Sequence, residues 1–211
     1  PAESIVVSGF PISDWCKHIA PSDVTIHAIG NRSLYGKALS WRDRKGMETA
    51  RLAVRFFPDI DPWYDHWHQR LIQEEESFPV LTLYESDLFY RADTSTSLES
   101  ESLYLWLDPI WAQNAIRTLA NRMKKMWPGE AETIEQQTQD LLYEIFQVHL
   151  ELTRIIEKSP RKPLAAPPTF QPLFQRYGVD PFLVSNVGHE AFVWKDIQDL
   201  LRQLLPLQPT V

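Results

Sequence analysis

Between residues 130 and 158, Ile134, Thr138, Leu141, Ile145, Val148, Leu152 and Ile155 recur at alternating steps of four and three. That spacing lays a single seam along a helix, the pattern of a coiled coil or helical hairpin, and nothing else in the sequence constrains the fold as tightly. At 1.5 Å per residue such a helix runs for about 42 Å. A second row, Leu142, Phe146, His149 and Ile156, widens the apolar face beyond what one antiparallel helix covers, so at least two neighbours are expected. The preceding segment is helical too. Asp108-Pro109 sets a capping carboxylate before a proline at the first helical position, and Ile110, Trp111, Ala115, Leu119, Met123 and Met126 keep helical spacing until Pro128-Gly129 ends it. Residues 108–158 are thus expected to form a helical hairpin.

The region before it reads as strand-rich. Ile5-Val6-Val7 and Val24 to Ile29 have the β-branched, alternating character of strands, with a short helix through Trp15, Cys16 and Ile19 between them, capped by Ser13 or Asp14 and ended by Pro21. Residues 33–45 alternate loosely as a strand would, and from Met47 to Phe57 the spacing turns helical. Asp61-Pro62 opens a helix to about Glu76 with Trp63, Trp67 and Leu71 along one side. Phe78 to Tyr84 and Leu88 to Tyr90 read as a hairpin, and Leu103 to Leu107 as a third strand beyond a polar Ser/Thr-rich loop at 93–102. The expected class is therefore α+β: a small antiparallel sheet with short helices over 1–107, then the hairpin over 108–158. Six prolines, Pro160, Pro163, Pro167, Pro168, Pro172 and Pro181, make 159–181 an extended strap with at most one helical turn near Phe170 to Tyr177. A last helix over 182–211 buries Phe192, Ile197, Leu200, Leu201 and Leu204. All four regions are expected to pack as one domain.

Composition narrows the chemistry. A net charge of −7 argues against nucleic acid, whose phosphates demand clustered Lys and Arg. The seven glycines form no phosphate-cradling or nucleophile-elbow pattern, and H-E-x-x-H is missing, so no common catalytic signature is found. A single cysteine, Cys16, permits neither an internal disulfide nor a multi-cysteine metal cluster and agrees with a reducing compartment. The opening Pro1-Ala2-Glu3-Ser4 lacks the basic, apolar, small-residue succession of a secretory signal, so a cytoplasmic protein is expected.

The densest polar constellation is 59–68, with Asp59, Asp61, Asp65, His66 and His68. On a helix, Asp61 and Asp65 are four apart and Asp65 and His68 three apart, so two carboxylates and an imidazole share a face and suit one divalent ion. The ordinary alternative is a capped helix whose acids complement its positive N-terminal end. His149, on an apolar face, is either a haem or metal ligand or a hydrogen-bonded core residue. Cys16 has Lys17 and His18 beside it, which would favour a thiolate if they approached it. Eight tryptophans suggest aromatic interface anchors, with Trp63, Trp67, Leu142, Phe146 and His149 as the candidate partner-binding residues. The favoured reading is a non-catalytic interaction protein, a subunit, adaptor or assembly factor that self-associates or binds another protein, with no resident cofactor. A metal-dependent hydrolase or nuclease centred on Asp61, Asp65 and His68 is the alternative, and a small-molecule or tetrapyrrole binder the third.

Overall fold

The computed structural model describes residues 3–29, 41–48, 50–56, 79–83, 102–158, 165–166, 170–179 and 182–183. Strands β1 (Ser4–Ser8), β2 (Thr25–Ile29), β3 (Ala50–Arg55) and β4 (Val80–Thr82) form one sheet in the order β2-β1-β3-β4. Every neighbouring pair is parallel, with Ile5 opposite both Ile26 and Leu52. The expected antiparallel α+β sheet is thereby corrected to an α/β architecture.

Burial explains both the topology and the misreading. Along β1, Ile5 and Val7 belong to one core while Val6 belongs to another; Leu52 and Val54 on β3 likewise oppose Ala53. A strand covered on both faces loses its polar alternation and reads as a continuous apolar run, which is the mark of parallel sheets. On one face lie α1 (Ile12–Ile19), α3 (Pro109–Met126) and α4 (Ala131–Lys158), sharing a core with Trp15, Ile19, Ile116, Leu119, Met123 and Ile134. On the other face, Met47 of α2 (Trp41–Glu48) packs with Val6, Ile29 and Ala53.

The helices near the termini of the first half correct several local expectations. Residues 41–45 are helical where a strand was expected, and 50–55 form β3 where a helix was expected. In Leu52-Ala53-Val54 an apolar run of three fits either period, and only burial on both faces decides for strand. Leu103 to Leu107 is not a strand but lies in a 3₁₀ turn, Ser102–Leu107, that feeds Asp108 into α3. Helix α1 takes Pro11 at its cap position, with no side-chain cap from Ser13 or Asp14.

The hairpin forms as the seam predicts, with the Lys124 ammonium 2.6 Å from the Glu135 carboxylate across it. Its partnership ends early. Helix α3 has 18 residues and α4 has 28, so α4 outruns its neighbour by about 15 Å. Ile134, Thr138, Leu141 and Leu142 are buried, whereas the later seam residues Val148 and Ile155 remain 54% and 50% exposed.

Beyond α4, β5 (Ala165–Ala166) pairs in parallel with β6 (Phe182–Leu183), and α5 (Gln171–Arg176) is the single helical turn expected of the strap. Gly178, at φ +64°, donates its N–H to the Gln175 carbonyl at 3.1 Å. Only glycine takes this left-handed turn at the end of a helix without strain. The helix expected at 62–76, the strand at 88–90 and the loop at 93–101 lie outside the described residues; of the last helix expected over 182–211, only 182–183 are described, and they form β6 instead.

Candidate functional site

Strand order locates the natural crevice. The chain runs from β1 to β2 on one side, then crosses back to β3 on the other, so the connections leave in opposite directions above the carboxyl ends of β1 and β3. In open parallel sheets, ligands bind at such a switch point. Here β1 ends in Ser8-Gly9-Phe10, with Phe10 exposed, and β3 ends in Arg55-Phe56. The buried Arg55 donates from Nε to Thr82 Oγ1 of β4 at 3.1 Å, tying neighbouring strand ends together.

Aromatic side chains meet beneath this edge. The Phe56 ring stacks on Trp106 with centroids 5.0 Å apart, lies 5.9 Å from Trp111, and meets Trp15 edge-on at 6.3 Å. Offset and edge-to-face pairs each contribute about 0.5–1.5 kcal/mol beyond the area they bury. Four chain segments, α1, the end of β3, the 3₁₀ turn and the start of α3, are fixed to one another by these rings.

Next to them sits a polar network. Asp108 caps α3, its Oδ1 accepting from the Ile110 N–H at 2.9 Å and the Trp111 N–H at 3.4 Å. The same carboxylate is gripped by Arg176 of α5, whose Nε donates to Oδ1 and Oδ2 at 2.8 and 2.9 Å while Nη2 donates to Oδ2. The adjacent Tyr177 places its hydroxyl 2.9 Å from Nδ1 of His149 on α4, with the two rings stacked at 5.6 Å. Burial chiefly, and the Asp108 charge after it, hold the Tyr177 hydroxyl above its ordinary pKa, with Arg176 opposing them. The network therefore joins α3, α4 and α5.

Asp61, Asp65, His68, Trp63 and Trp67 lie outside the described residues. Leu142 is core rather than surface, Phe146 is exposed, and His149 is part-buried and bonded to Tyr177 as a histidine on an apolar face ordinarily is. Cys16 is fully buried and burial pushes its thiol well above the ordinary range, while Lys17 and His18 face solvent, so no thiolate forms there. His18 stays by its own helix, 3.1 Å from the Asp14 carbonyl, and His27 packs against Gly46. Among the described residues no three His, Cys, Asp or Glu side chains converge on a point where a metal ion could sit. The sequence reading missed Arg176, because its partner Asp108 lies 68 positions away and Asp108-Pro109 already explained itself as a helix start.

Comparison with known proteins decides the lineage. Residues 5–205 match the ZnuA family, described as the periplasmic component A of the zinc-uptake complex. The chain belongs to that family. No curated protein matches at the sequence level. Among solved structures, the metal-dependent lipoprotein YcdH of Bacillus subtilis superposes with a TM-score of 0.72 at 13% identity, over 96% of this chain and 75% of that one. A metal-free variant of the periplasmic metal-binding protein of Candidatus Liberibacter asiaticus gives 0.72 at 16% identity, over 96% and 76%. The Zn(II)-bound ZnuA-like domain of Streptococcus pneumoniae AdcA gives 0.71 at 13%, over 97% and 75%. At such identities the likeness establishes the fold, and it agrees with the parallel sheet.

Membership in this family corrects the functional expectations. A periplasmic zinc-uptake family replaces the cytoplasmic adaptor or assembly factor, and it displaces the hydrolase, nuclease and tetrapyrrole alternatives. The reasoning from one cysteine and the residues at the start of the chain failed because neither feature reports the compartment. The family is described by zinc uptake, so a divalent metal, which the favoured sequence reading did without, fits the lineage.

Proposed function

We propose that this chain is a periplasmic cation receptor that takes a divalent metal, zinc first, as cargo and passes it within an uptake complex. The family match over residues 5–205 carries this reading. The candidate donors are Asp61, Asp65 and His68. Imidazole and carboxylate together suit a borderline ion such as Zn²⁺, which takes three or four N, O or S ligands. The described part of the crevice offers little competition for a metal, since Asp108 is already committed to its cap and to Arg176.

Calorimetric titration of zinc into the full chain tests the assignment. One ion per chain is expected, with Asp65→Asn and His68→Ala each weakening it at least tenfold. Equal affinity in both variants would remove these residues from the donor set.

A further inference from the structure

Helix α4 changes character halfway along its outward side. Up to residue 142 that side is polar and internally bonded: Gln136 Nε2 donates to Asp140 at 3.0 Å and Gln139 Nε2 to Glu135 at 2.7 Å. From Tyr143 to Leu150 the same side carries large apolar side chains beside Gln147, and Arg154 follows one turn later. Tyr143, Phe146 and Leu150, at steps of three and four, form a stripe opposite the buried row and are 65%, 43% and 46% exposed. Solvent prefers the first arrangement, and the second leaves three large apolar side chains part-exposed.

The stripe is shaped and charged. On one flank Phe146 lies 6.2 Å from His149, which stacks on Tyr177, so α5 backs the ridge. Along the other flank run the exposed carboxylates of Asp140, Glu144 and Glu151. Among the described residues, Arg154 pairs with Glu151 at 2.7 Å and Lys158 stands exposed one turn beyond. An apolar strip with an acidic margin complements an apolar ridge with a basic margin, and such charge matching selects partners and speeds encounter.

We propose that Tyr143, Phe146 and Leu150 are a docking surface for a protein that presents an apolar ridge flanked by Lys or Arg. A second copy is the poorer occupant. It would bring the same acidic margin, Asp140, Glu144 and Glu151, against its own like charges.

Fluorescence anisotropy with the full, metal-free chain tests this, using two synthetic amphipathic helices, one of leucine and lysine and one of leucine and glutamate. The lysine helix is expected to bind at least tenfold more tightly than the glutamate helix. Phe146→Asp is expected to weaken the lysine helix at least tenfold, although it adds negative charge, while Gln139→Asp on the polar half changes it less than twofold. If Phe146→Asp loses its helical circular dichroism, Leu150→Asp supplies the same reading. Equal binding of both helices, or equal binding by Phe146→Asp and the parent, overturns the proposal. So does sedimentation showing a dimer that Phe146→Asp dissociates, because the occupant is then a second copy.

Discussion

Arg176 and Asp108 hold together parts of the chain that no local rule connects. Their ion pair is largely buried, with side-chain exposures of 25% and 10%, and it sits where the 3₁₀ turn, α3 and α5 converge. Removing one partner of such a pair leaves a desolvated charge behind, which costs more than the pair itself contributes. Arg176→Ala should therefore destabilise the fold by about 2–4 kcal/mol in urea denaturation. A loss below about 0.5 kcal/mol would place the pair with exposed ion pairs instead. Tyr177 makes a second prediction at this scale. Its folded pKa is raised above an ordinary value of about 10. The native state thus keeps its proton where the unfolded chain has begun to lose it, so its contribution is full below pH 10 and falls as pH rises further. Tyr177→Phe should flatten that alkaline decline, as equilibrium unfolding between pH 9 and 11 would record.

At the scale of elements, α2 and β2 approach so closely that only glycine fits between them. A Cβ on Gly46 would stand 2.8 Å from Cγ and 3.2 Å from Cβ of His27, atoms near the backbone that cannot swing aside. Alanine normally stabilises a helix by about 1 kcal/mol over glycine. Here Gly46→Ala should instead destabilise, by about 1–3 kcal/mol, and His27→Ala in the same chain should recover most of the loss in thermal denaturation. The hairpin gives an internal contrast. Ile134 is fully buried and its replacement by Ala should cost about 2–5 kcal/mol, whereas Val148→Ala should cost less than about 0.5 kcal/mol. Sequence spacing treated these two positions as equals. The seam, both helix boundaries and the Asp108 cap were legible because they are written in local periodicity and turn chemistry. The end of the partnership was not, since it depends on α3 being ten residues shorter than α4.

The whole molecule was least legible where burial on both faces erased alternation. Ile5-Val6-Val7 and Leu52-Ala53-Val54 announce strands, but not whether their neighbours run with or against them. That direction is set by helices covering both sides of the sheet, a fact of tertiary structure. Compartment and lineage were hidden for a different reason: identities of 13–16% to proteins of the same fold leave few residues in common, so the architecture persists where individual residues do not. Asp61, Asp65 and His68 were chosen on spacing alone, and they are the donors proposed above for a zinc cargo. Native mass spectrometry of the full chain equilibrated with stoichiometric zinc tests this claim most directly. One zinc ion per chain, lost on Asp65→Asn and His68→Ala, is the predicted spectrum. A chain that stays bare, or that carries zinc unchanged in both variants, would contradict it.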